Sequence, residues 1–185
     1  MIIGITGPIA AGKDTVASYL IKKLGYPMVT LSEIVKEEVK KRGYPLKREY
    51  YQLVGNQLRK EYHNGILAEL ALKKFGKNGI INGIRNPSEA EYLRKALGKD
   101  FVLLAIDAPQ KIRFERVLKR AKPGDPKTFE EFKKQDEKEL GIGEAPSGFH
   151  VKECVEMADY TIVNDSTFEE LERKVDEFIK KFNLS

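Results

Sequence analysis

The chain has 185 residues, 41% of them hydrophobic, enough for one domain with a sizeable core. Its longest apolar run, Phe101 to Ile106, falls far short of the roughly 20 residues that cross a bilayer, and the N-terminus has no basic region or cleavage site, so the expectation is a cytoplasmic protein without a membrane partner. Thirty-three basic against 28 acidic residues give a net +5, which favours anionic partners; basic residues interleave with Glu, as in Glu37, Glu38, Lys40 and Lys41, without an aromatic-basic signature, so nucleic acid is not expected.

In chain order, short apolar strands alternate with amphipathic helices. Strands are predicted at Ile2 to Thr6, Pro27 to Leu31, Gly79 to Ile84, Phe101 to Asp107 and Tyr160 to Val163. Val16, Leu20 and Leu24 form one helical stripe after the first strand, and Leu171, Val175, Phe178, Ile179 and Phe182 form another near the C-terminus. Capping patterns mark further helix starts: Asn86 before Pro87 and Glu89, Thr128 before Glu131, and Ser166 before Glu169. Alternation of this kind implies an α/β fold, a doubly wound parallel sheet covered on both faces. The breaker segment Lys122 to Lys127 reads as an exposed loop or mobile lid. The single cysteine, Cys154, cannot form an internal disulfide and reads as a core or half-buried thiol; His63 and His150 read as bystanders.

Chemistry concentrates at Gly7-Pro8-Ile9-Ala10-Ala11-Gly12-Lys13-Asp14-Thr15, between the first strand and the first helix. A bound polyphosphate needs inward N–H groups, tight turns without side chains, and a flexible ammonium; Gly7, Gly12 and Lys13 meet those demands at the spacing of a phosphate-binding loop. The hydroxyl usual after the lysine is replaced by Asp14, with Thr15 one residue later.

This loop resembles that of P-loop kinases of the nucleoside monophosphate kinase superfamily. It is similar to phage-type deoxynucleotide monophosphate kinases, dephospho-CoA kinases and an archaeal group of adenylate-kinase-like proteins. Leu31 to Lys36, Asn82 to Asn86, Arg113 to Arg120 and Ala158 to Asp165 extend the resemblance in order along the chain. The resemblance implies one P-loop domain over residues 1–185, a five-stranded sheet in order 2-3-1-4-5, a substrate-binding helical region over residues 32–78 and a lid over residues 116–140.

It also implies residue roles. ATP would be held by Gly7, Ala10, Ala11, Gly12, Lys13, Asp14 and Thr15, with Asn164, Asp165 and Ser166 at the adenine. Arg85 would grip the acceptor's phosphate, helped by Ser32, Glu33, Lys36 and Arg59. Asn82 stands where a carboxylate often holds magnesium-bound water, and Asp14 is the expected source of the missing charge near Mg²⁺. Arg116 and Arg120, four residues apart on one helical face, would close over the transferred phosphoryl group. Gln135-Asp136 occupies the place of a further lid arginine, leaving Lys133 or Lys134 to substitute.

The expected activity is therefore phosphoryl transfer from ATP to a small phosphorylated acceptor, first a nucleoside or deoxynucleoside monophosphate. A dephospho-CoA kinase, with Glu33 as base for a ribose hydroxyl, is the second reading. A nucleotide-binding regulator with little turnover is the third.

Overall fold

The computed structural model describes the backbone of Met1–Ser185 and every side chain except that of Arg48. Five parallel strands, β1 (Ile2–Thr6), β2 (Met28–Thr30), β3 (Gly79–Ile84), β4 (Phe101–Asp107) and β5 (Tyr160–Val163), form one sheet in the order 2-3-1-4-5. Sequence placed β2 at Pro27 to Leu31; it is shorter at both ends, because Thr30 turns into a helix cap and Leu31 becomes the first helical residue.

The helices are α1 (Lys13–Leu24), α2 (Leu31–Lys41), α3 (Arg48–Glu61), α4 (Ile66–Leu72), α5 (Pro87–Leu97), α6 (Gln110–Arg120), α7 (Phe129–Leu140), α8 (Val151–Glu156) and α9 (Phe168–Lys181). None of the described helices is long and apolar enough to cross a membrane. Three begin with complete capping boxes, Thr30 with Glu33, Asn86 with Glu89 and Thr128 with Glu131, each satisfying N–H groups that the first turn leaves open. The cap of α9 is Thr167, one residue beyond the expected Ser166, with its hydroxyl accepting from the Glu170 N–H.

Side-chain alternation along the strands divides the core. Ile2 of β1 and Phe101 and Leu103 of β4 pack with α2 to α5 and α8, including the fully buried Cys154, whose thiol burial pushes well above its ordinary range. Ile3, Ile5, Val102, Leu104 and Ile106 face the other way, against Val16 and Leu20 of α1 and Leu171, Val175 and Phe178 of α9. Each such fully buried side chain contributes about 2 kcal/mol through removal of apolar surface from water. A smaller cluster of Ile9, Val117 and Phe132 joins the loop after β1 to α6 and α7. Because β1 is the middle strand, its C-terminal end meets the ends of β3 and β4 at one crevice, the usual binding position of an open α/β sheet.

Candidate active site

Between β1 and α1, Gly7 has φ of 142°, and a Cβ there would lie 2.0 Å from the Ile106 carbonyl oxygen. Gly12, at φ of 107°, leaves a Cβ only 2.3 Å from the Asn164 amide nitrogen. Both positions therefore need glycine on conformational and steric grounds. Asn164, in the turn after β5, is buried and donates from Nδ2 to the Ala11 carbonyl at 2.9 Å. Of the three residues expected at the adenine, Asn164 thus shapes the phosphate loop itself, while Asp165 and Ser166 are exposed beside it.

Lys13 opens α1, and its ammonium donates to the carbonyls of Gly7 and Pro8 at 2.7 and 2.8 Å. Burial, and then the positive charge of Arg85, lower its pKa to about 8, with Glu139 of α7 and Asp14 opposing the shift. Lys13 and Arg85 are therefore electrostatic neighbours.

The two unusual positions of the motif meet directly. Asn82 Nδ2 donates to Asp14 Oδ1 at 2.8 Å, and the buried Asn82 Oδ1 has no partner among the described residues. A carboxylate on the helix and an amide on the strand replace a hydroxyl on the helix and a carboxylate on the strand. Thr15, about 100° further round the helix, lies beside Tyr19, Phe168 and Leu171 on the α9 side, apart from this pair.

At the end of β3 a bulge leaves Gly83 as the extra residue, with Ile5 opposite Asn82 and Thr6 opposite Ile84, and the Ile84 carbonyl accepts from the Thr6 hydroxyl at 2.8 Å. Arg85 follows, its guanidinium 5.0 Å from the Phe149 ring centre. Arg59 of α3 is buried and paired to Glu89 at 3.3 Å. The Nε atoms of Arg59 and Arg85 are both buried and without partners among the described residues. The other expected acceptor residues follow the end of β2, where Thr30 is paired opposite Asn82. Ser32 bonds the Thr30 hydroxyl at 3.0 Å, Glu33 accepts from the Thr30 N–H at 2.9 Å, and the exposed Lys36 lies over the Tyr51 ring at 5.8 Å.

Arg116 and Arg120, expected together at a lid, diverge along α6. Arg116 donates to the carbonyls of Ala10 and Ala11 at 3.3 Å and of Asn164 at 2.8 Å, clasping the phosphate loop to the turn after β5. Arg120 is exposed and is held by two bonds to the Asp125 carboxylate, 2.8 Å each, at the start of α6's exit loop. Lys133 and Lys134 are exposed on α7, Lys133 lying 4.0 Å from Glu137. Asp136, in the place of the further lid arginine, is fully buried and takes a two-pronged bond from Arg113 at 2.5 and 2.9 Å. Arg113 also donates to the Ala108 and Ile9 carbonyls at 2.9 and 3.3 Å, and Gln110 joins Asp136 at 2.8 Å. The α6–α7 pair is thereby locked onto the loop after β1.

Residues 3–139 match a family model described as an AAA domain. A UPF0200 protein of Pyrococcus abyssi is 38% identical over 188 aligned residues, covering 98% of this chain and 96% of the relative. The chain belongs to the UPF0200 family. Among solved structures, shikimate kinase from Acinetobacter baumannii in complex with shikimate shares its fold at a TM-score of 0.62 and 17% identity, over 100% of this chain and 95% of the other. A gluconokinase from Sinorhizobium meliloti gives 0.55 at 15% identity, over 97% and 91%. This UPF0200 protein therefore has the fold of the P-loop kinases, with the expected strand order.

Several residues of this UPF0200 site lie beyond the sequence reading. Glu89 is legible as a cap, but its pairing with Arg59 is not. Asp136 shares a stripe with Phe132, four residues earlier, and a charge on a buried stripe signals a partner without naming Arg113. The segment 141–150 carries Phe149 to Arg85, and its Pro146 and Gly148 carbonyls accept from Asn86 Nδ2 at 2.9 and 2.8 Å; nothing in its composition announces this.

Proposed function

We propose that this protein transfers the γ-phosphoryl group of ATP to a small phosphorylated acceptor, most specifically a nucleoside or deoxynucleoside monophosphate. What supports it above all is the glycine cradle that ends on the Lys13 ammonium at the C-terminal end of the central strand, with the positive charge of Arg85 felt at Lys13. The glycine cradle and the Lys13 ammonium fit a triphosphate. Arg85 and Arg59 each carry a buried Nε–H without a partner among the described residues, which a phosphate oxygen would satisfy.

Asp14 and Asn82 fit a magnesium site: a carboxylate oriented by an amide, and a buried carbonyl oxygen free to accept from a metal-bound water. Mg²⁺ held there would neutralise charge on the β and γ oxygens. Lys13 and the loop N–H groups stabilise the charge that develops in transfer, and Arg116 keeps the loop in shape by holding three of its surrounding carbonyls. A phosphate acceptor attacks through an oxygen that is already anionic and needs no base. A dephospho-CoA hydroxyl benefits from one, and Glu33 is engaged with its own helix cap, which favours the monophosphate.

The test is incubation with ATP, Mg²⁺ and a panel of nucleoside and deoxynucleoside monophosphates plus dephospho-CoA, following ADP and phosphorylated product. ADP release that depends on a monophosphate and is lost in Lys13→Ala and Arg85→Ala is expected. Turnover with dephospho-CoA alone overturns the acceptor assignment, and ATP binding without acceptor-dependent ADP points to a regulator.

A further inference from the structure

We infer that Glu89 is the positioning residue for the acceptor's phosphate, one buried carboxylate that sets both arginines of that subsite. This rests on the phosphotransferase reading above, which assigns Arg59 and Arg85 to that phosphate. Glu89 is 1% exposed. Its Oε2 accepts from the backbone N–H groups of Arg85 and Asn86 at 3.0 and 3.1 Å, fixing the chain from which the Arg85 side chain leaves. Its Oε1 accepts from Arg59 Nη2 at 3.3 Å. A helix cap needs only the first oxygen; the second is spent on a guanidinium 30 residues earlier in the chain.

The consequence is geometric and electrostatic. With Nη2 held, Arg59 keeps its Nε–H unpartnered, and Arg85, anchored at its own N–H, keeps its Nε–H unpartnered too. One carboxylate thus holds the guanidinium of Arg59 and the backbone from which Arg85 leaves, an arrangement that pre-organises the two donors for one phosphate and reduces the ordering cost of binding. The negative charge of Glu89 also compensates the buried guanidinium of Arg59.

The Nε–Hε signals of Arg59 and Arg85, followed by NMR during titration with inorganic phosphate, read the site without turnover. In the native chain both signals shift together and saturate. In Glu89→Gln the phosphate affinity falls by about tenfold, the loss of one charge-assisted bond, while ATP affinity stays within about twofold. In the kinase assay the same variant raises the acceptor KM with little change in kcat. Glu89→Gln combined with Arg59→Lys costs no more than the worse single variant, because the residues act as one unit.

Should Glu89→Gln fail to fold, Glu89→Asp retains the charge and the cap but falls short of Arg59. The Arg85 signal should then still shift and the Arg59 signal should not. Unchanged phosphate affinity and acceptor KM in the Glu89 variants overturn the inference, as does equal weakening of ATP and phosphate together with a lower Tm, the mark of a merely structural cap. Native signals that respond to phosphate without any acceptor-dependent ADP sink the kinase reading and leave the role of Glu89 standing. Turnover in Glu89→Gln with a native acceptor KM sinks the Glu89 role alone.

Discussion

Burial strips water from the charged form of Lys13, and Arg85 adds a second positive charge nearby, so its pKa of about 8 lies within reach of ordinary buffers. Two pH dependences of opposite sign follow. In the unfolded chain the ammonium keeps the usual value of 10.5. Between about pH 8 and 10.5 the unfolded state thus binds more protons, and the contribution of Lys13 to stability rises with pH. Binding runs the other way, because a polyphosphate needs the charged ammonium. The Kd for ATP should be nearly constant below pH 8 and weaken above it, approaching about tenfold per pH unit, with protons taken up on binding. Titration calorimetry in buffers of different ionisation enthalpy reads both quantities. A Kd unchanged to pH 10 would show that Lys13 is not the group that meets the phosphates.

At the scale of elements, α6 and α7 are held by chemistry that their own sequences conceal. Thr128 and Glu131 announce the start of α7, and its apolar stripe announces that it packs. What it packs with depends on Asp136 meeting Arg113 across 23 residues, and on Ile9 meeting Phe132 across more than a hundred. Asp136 is fully buried and Arg113 nearly so, so removing one partner leaves an uncompensated charge in the core. Asp136→Ala should cost about 3–5 kcal/mol, which in a chain of this size lowers Tm by roughly 10 °C. Arg113→Met with Asp136→Leu replaces both charges by apolar groups and should recover most of that loss. Thermal unfolding of the three proteins decides it; a single variant as stable as the native chain would mean the pair is not buried in solution. Arg116 illustrates the same point in smaller compass. Its place four residues before Arg120 suggests twin phosphate ligands, yet α6 turns one inward to the loop carbonyls and the other outward to Asp125.

Across the whole molecule, legibility follows sequence distance. The strands are runs of Ile, Val and Leu that no other element explains, two helix caps, at Asn86 and Thr128, are written in four consecutive residues each, and the cradle from Gly7 to Lys13 is contiguous. These could be read before any coordinates. The Arg59–Glu89 and Arg113–Asp136 pairs, the Asn164 brace under Gly12 and the segment 141–150 over Arg85 join positions that only the folded chain brings together. That distribution also sets how binding should register in stability. The cradle hangs from β1, the middle strand, which is paired to β3 on one side and β4 on the other. It cannot be released by fraying an edge, so a ligand in it should stabilise the entire sheet. A non-hydrolysable ATP analogue at 100 times its Kd should add about 2.7 kcal/mol, raising Tm by roughly 8 °C. Hydrogen exchange should slow together in β1, β3 and β4, since their amides open through the same global unfolding. Protection confined to α7 and the loop before it would instead place the nucleotide on the lid, away from the central strand.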